Sequence, residues 1–143
     1  MSDKIQSTKL IYIADDDDTI RTALKTFLEK EGGYNVCDFA TGDELLEAFE
    51  DTPADFVVLD VMMPGNHNGF GVLRELRTKS TVPVILVTAR DSDQDYRTGL
   101  DLGGDDFFTK PVNPMNIVMR VKTIFRRMEY DRVAFENEEA KKS

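Results

Sequence analysis

The sequence predicts an α/β fold, a parallel β-sheet with helices on both faces. Two observations carry this expectation. Short apolar runs alternate with amphipathic stretches of helical period along the 143 residues. The first, third and fourth runs are apolar at nearly every position, which suits strands buried on both sides of a parallel sheet.

The first run is Leu10-Ile11-Tyr12-Ile13-Ala14. It passes into Asp15-Asp16-Asp17-Asp18, and then into a helix with the stripe Ile20, Leu24, Phe27 and Leu28, ended by Gly32-Gly33. The second run, Tyr34 to Phe39, precedes a helix striped by Leu45, Leu46 and Phe49. Thr41 followed by Glu44 marks its start as a capping box. Phe56-Val57-Val58-Leu59 forms the third strand and ends in Asp60; Phe70, Leu73 and Leu76 stripe the helix that follows. The fourth strand, Val84-Ile85-Leu86-Val87, starts after Pro83, where a strand tolerates proline, and ends in Thr88. Its helix is the weakest, with Tyr96, Leu100 and Leu102 as a thin stripe and Gly99 inside, at a cost of ~1 kcal/mol relative to Ala. The shorter Phe107-Phe108 run leads to Lys110, and Asn113 and Pro114 open a last helix striped by Ile117, Val121, Ile124 and Met128. Beyond Met128, Asp131 and Arg132 interrupt the stripe, so residues 129–143 read as a helix end or linker tail after a domain of residues 1–128.

Composition narrows the function. No apolar run approaches the ~20 residues of a membrane span, and the polar start, Met1 to Lys9, has no secretory apolar core. The single cysteine, Cys37, excludes an internal disulfide and reads as a small apolar strand residue; a cytoplasmic location is expected. The net charge is −9, while the segment from Arg126 to Ser143 carries five acids and five bases. The excess acid therefore lies in the body, which disfavours direct nucleic-acid binding and favours cationic partners or a metal ion.

Strand carboxyl ends share one edge of a parallel sheet, and open α/β sheets bind ligands in the crevice outside that edge. Periodicity thus gathers the Asp15–Asp18 run, Asp60, Thr88 and Lys110. Taken singly, each has an ordinary reading. Asp17 and Asp18 serve as N-cap and dipole complement, Asp60 as a turn residue, and Thr88 or Lys110 as a solvated side chain. Their joint placement at four strand ends argues for a site. Clustered carboxylates repel one another, and Mg²⁺ suits a site of few carboxylate oxygens with retained waters. A lysine and a cation beside Asp60 make a place where that carboxylate can act as nucleophile toward a phosphoryl group.

Four segments, Ile11 to Asp17, Val58 to Gly65, Val84 to Ala89 and Gly104 to Pro111, resemble the receiver domain of two-component response regulators over about residues 9 to 128. The resemblance implies a flavodoxin-like (βα)5 fold, three layers with strand order 2-1-3-4-5. It implies that Asp15, Asp16 and Asp60 hold Mg²⁺ together with the backbone carbonyl of Met62. It makes Asp60 the phosphoacceptor, Thr88 and Lys110 the partners of the phosphoryl oxygens, and Thr88 and Phe107 the switch pair. Lys110-Pro111 falls where the family has a cis peptide. A histidine kinase or phosphotransfer protein would donate from phosphohistidine. The face of the fourth helix, fifth strand and fifth helix would then shift to control an output domain or partner, or a phosphorylation-dependent homodimer. On this reading the chain is a phosphoacceptor signalling domain, and its only catalysis is its own phosphorylation and dephosphorylation.

The sequence departs from the family between Pro64 and Gly69, where Gly65-Asn66-His67-Asn68 is one residue longer than the common pattern and Asn68 stands in place of Asp. His67, the only histidine, reads as a solvated loop residue, and Arg90 falls where family members tune phosphate lifetime. Two rivals stand beside this reading. Asp15 to Thr19 also fits the D-x-D-x-T pattern of haloacid-dehalogenase-type phosphatases, with Asp15 as nucleophile and Asp17 as general acid. A binding-only pseudo-receiver would never take phosphate.

Overall fold

The computed structural model describes residues 8–89 and 93–142; the expectations for the first seven residues and for Arg90 lie outside them. Strands β1 (Leu10–Ala14), β2 (Asn35–Phe39), β3 (Phe56–Asp60), β4 (Val84–Thr88) and β5 (Asp106–Thr109) alternate with helices α1 (Asp18–Lys30), α2 (Gly42–Asp51), α3 (Gly69–Arg77), α4 (Asp93–Asp101) and α5 (Pro114–Lys142). All strand pairs are parallel, in the order β2-β1-β3-β4-β5. This is the doubly wound flavodoxin-like fold.

Alternate strand residues face opposite layers, which is why the central strands are apolar throughout. Tyr12, Ala14, Val57, Leu59, Val84 and Leu86 pack with Leu45 and Phe49 of α2 and Val72, Leu73 and Leu76 of α3. On the other face, Ile11, Ile13, Phe56, Val58, Ile85 and Val87 pack with Leu24 and Leu28 of α1 and Ile117, Val118 and Val121 of α5. Each fully buried aliphatic side chain contributes about 1.5–3 kcal/mol, so the two layers lock the register that aligns the strand ends. Cys37 lies on the edge strand β2, as expected, and is exposed there.

Helix ends follow the sequence signals. Asp17 caps α1 by accepting from the backbone N–H groups of Thr19 (2.9 Å) and Ile20 (3.1 Å). Thr41 caps α2 by accepting from the Glu44 N–H at 3.1 Å. Asn68 takes the same role for α3, accepting from the Gly71 N–H at 2.9 Å. Asn113 accepts from the Met115 N–H at 2.9 Å at the start of α5.

Two expectations gain detail. The last helix runs unbroken to Lys142, so of the two readings of the tail the helix applies over residues 129–142. Its outer turns lack a buried stripe, yet Arg132 pairs with Glu129 and, at 2.5 Å, with Glu136, and good helix formers fill the segment. Met128, Tyr130, Val133 and Phe135 stay exposed along it. Gly99 is not merely a weak point of α4. It is buried, and a Cβ there would lie 2.6 Å from Leu86 Cδ1 and 3.3 Å from Phe107 Cδ2. The missing side chain lets α4 approach β4 and β5. Gly99→Ala is therefore expected to lower stability by about 1–2 kcal/mol through overpacking, not to gain what helix propensity alone would give. Denaturant unfolding checks the sign.

Candidate functional site

The carboxyl ends of β1 and β3 bring three acids together. Asp15, Asp16 and Asp60 each offer a carboxylate oxygen, and these oxygens lie within 4.8 Å of one another. Asp15 and Asp60 are 1% and 4% exposed, whereas Asp16 faces solvent. Lys110, arriving from the end of β5, sets its Nζ 3.1 Å from Asp15 Oδ2 and 3.1 Å from Asp60 Oδ2. The other oxygens meet backbone donors: Asp15 Oδ1 accepts from the Asp17 N–H at 2.9 Å, and Asp60 Oδ1 from the Met62 N–H at 3.1 Å. Thr88, fully buried at the end of β4, accepts the Lys110 backbone N–H on its carbonyl at 2.7 Å. The Lys110-Pro111 peptide is cis.

One lysine serves two buried carboxylates, and the electrostatics show the shortfall. Burial and then the charge of Asp15 push the Asp60 carboxyl up to about 6, against the opposing pull of Lys110 and the Met62 N–H. Burial alone would lower Lys110, but Asp15 and Asp60 outweigh it and hold the ammonium above its usual range. The shifts agree once the cluster is seen whole: the lysine is amply paired, and the carboxylates are not. Three carboxylates against one ammonium leave two negative charges unbalanced, and the donors are all hard oxygens. A divalent cation such as Mg²⁺ fits that donor set and that charge.

Phe107 sits half-buried beside α4, its ring meeting Tyr96 edge-on with centroids 5.5 Å apart. The inserted loop is fixed in a way the sequence did not suggest. His67 is not a free solvated residue: its Nδ1 lies 2.5 Å from Asp43 Oδ1, and Asp43 Oδ2 accepts from the Asn66 N–H at 3.4 Å. The hydrogen bond with His67 holds the Asp43 carboxyl below its ordinary range. The loop beside Asp60 is thereby tied to the first turn of α2.

Two further residues matter that sequence patterns did not single out. Gly69 opens α3 directly against β3, where a Cβ would lie 2.4 Å from the Asp60 carbonyl oxygen and 2.7 Å from Val61 Cα. Arg21 of α1 donates to the Asp15 carbonyl. The phosphatase pattern fares worse, because Asp17, its general acid, is committed to the α1 cap.

Comparison with known proteins agrees with this geometry. The family model described as "Response regulator receiver domain" matches residues 11–122. The sensory transduction protein RegX3 of Mycolicibacterium smegmatis is 40% identical over 117 residues, which cover 82% of this chain and 50% of that protein. The regulatory protein VanRc of Enterococcus gallinarum is 41% identical, covering 83% of this chain and 51% of that one. The chain thus spans about half the length of the curated relatives it matches. Among solved structures, the CheY-like response regulator receiver domain protein of Methanospirillum hungatei aligns with a TM-score of 0.81 at 30% identity, covering 87% of this chain and 99% of that one.

Proposed function

This chain belongs to the response regulator receiver domain family, whose general function is phosphotransfer to an aspartate, and on that premise we propose that Asp60 is the acceptor here. The observation that carries the proposal is the bridge of Lys110 between Asp15 and Asp60, at 3.1 Å from each, beside the third carboxylate of Asp16.

Asp15, Asp16 and Asp60, with the Met62 carbonyl, would hold Mg²⁺. When bound, Mg²⁺ supplies charge neutralisation and a fixed place for phosphoryl oxygens. The chain's own groups do the rest. The Asp60 carboxylate attacks the phosphorus of a partner's phosphohistidine; the P–N bond breaks and an aspartyl phosphate forms. Lys110, already within 3.1 Å of Asp60, keeps its ammonium on the new dianion. The Thr88 hydroxyl turns to a phosphoryl oxygen, and Phe107 packs inward behind it. Gly99 lies close to the Phe107 ring, so that movement reaches α4 and shifts the α4-β5-α5 face.

The partners follow from this role: a histidine kinase or phosphotransfer protein as donor, and an output domain, protein or second copy on the shifted face. The acidic balance of −9 speaks against nucleic acid as the direct partner of this domain. A cytoplasmic location goes with this role, and among the described residues no helix is long and apolar enough to cross a membrane. The domain would act as a signalling switch, with turnover limited to its own acyl phosphate.

Beryllofluoride binding tests the proposal. The chain should take up beryllofluoride only with Mg²⁺ present, with amide shifts around Asp60, Thr88 and Phe107. Lys110→Met should lose most of this binding, because the ammonium that neutralises the anion is gone. Mg²⁺-independent uptake, or undiminished uptake by the variant, would contradict it.

A further inference from the structure

We propose that Arg21 is a positioning residue for the cation, a clamp that fixes the acidic β1–α1 loop through its backbone. The inference rests on the metal reading given above and adds a residue to it. All three guanidinium nitrogens are engaged. Nη1 donates to the Asp15 carbonyl at 2.7 Å, Nε to Asp38 Oδ2 at 2.9 Å and Nη2 to Asp18 Oδ1 at 2.5 Å. The Arg21 side chain is 15% exposed and Asp38 28%, so the bond to Asp38 is shielded from solvent, whereas Asp18 is 85% exposed and its pair adds little.

The anchor is β2. Asp38 lies opposite Ile13 in the parallel register and is also met by Lys25 Nζ at 3.4 Å. The planar fork of Arg21 carries that anchor across to the residue whose carboxylate enters the site. Asp15 is then held at three points besides its carboxylate pairing with Lys110. Its N–H donates to the Phe39 carbonyl at 3.1 Å, its own carbonyl takes Arg21, and its Oδ1 takes the Asp17 N–H. A lysine at position 21 would keep the charge but could not span a carbonyl and two carboxylates in one plane.

The sign of the effect separates a clamp from a mere charge. A cation near the site repels Mg²⁺, so on Coulombic grounds alone its removal would tighten metal binding. A clamp predicts the opposite, in line with the roughly 10–100-fold losses seen when outer groups that orient metal ligands are removed. Mg²⁺ titration of the full chain, followed by the amide shifts of Asp16 and Asp60, reads this directly. Arg21→Met should weaken Mg²⁺ about tenfold, Arg21→Lys should fail to restore it, and Asp38→Asn should weaken it in the same direction. Arg21→Lys keeps the charge, so a loss there is not Coulombic and it serves even where Arg21→Met does not fold; Asp38→Asn also removes a negative charge, so its loss counts only beside that of Arg21→Lys. Unchanged or tighter binding in Asp38→Asn or Arg21→Met, or full rescue by lysine, overturns the clamp while leaving the metal site standing. A wild-type chain that shows no saturable Mg²⁺ response overturns the metal reading and the clamp with it.

Discussion

Asp60→Asn is expected to abolish labelling by acetyl phosphate and, without metal at about pH 7.5, to stabilise the fold by on the order of 2–3 kcal/mol. The first effect follows from the proposed role of Asp60 as nucleophile. The second follows from linkage. Asp60 is pushed up to about 6 by burial and by Asp15, above the ~4 of an unfolded aspartate. Between those values the native state holds a proton that the unfolded chain has released. Stability is therefore full below about pH 4 and falls as pH rises through about 6. Asparagine is neutral throughout and escapes that loss, so its advantage should shrink to near nothing at about pH 4. Mg²⁺ should reverse the order at neutral pH by stabilising the wild type alone. Thermal or urea unfolding of both proteins across this pH range, with and without Mg²⁺, gives the comparison. A destabilised asparagine variant in metal-free buffer would mean that Lys110 balances the site unaided.

Gly69→Ala is expected to cost about 2–3 kcal/mol, an overpacking penalty at the upper end of the usual range. The added Cβ would lie 2.4 Å from the Asp60 carbonyl oxygen and 2.7 Å from Val61 Cα. Both neighbours are backbone, so no side chain can rotate away. The Gly69 N–H also donates to the Val61 carbonyl at 2.9 Å, which ties the start of α3 to the residue after Asp60. Relief would displace Asp60 itself, and the variant should lose Mg²⁺ affinity as well as stability. Stability loss with intact Mg²⁺ affinity would show that α3 moves and β3 does not.

Much of this was legible because two periodicities are strict. Strands such as Phe56–Asp60, buried at every position, announce a sheet covered on both faces, and the residues that end them must share one edge. Asp60, Thr88 and Lys110 were found that way. The pairing order needed the family resemblance, since no local pattern says which strand sits beside which. Other features were hidden because they depend on registers between segments distant in sequence. Arg21 reaches Asp38 only because β1 pairs with β2 as Ile13 opposite Asp38. His67 meets Asp43 only because the inserted loop folds back on α2. The tail stayed open between helix and linker for a different reason. An apolar stripe signals packing, whereas residues 129–142 hold their helix by local pairs and propensity.

The most direct test is to find which aspartate carries the phosphoryl group. After incubation with acetyl phosphate and Mg²⁺, borohydride reduction converts an aspartyl phosphate to homoserine, and peptide mass spectrometry then places it. The modification should fall on Asp60 alone and require Mg²⁺. Homoserine at Asp15, or none at Asp60 while another aspartate is modified, would contradict the assignment of Asp60 as the acceptor.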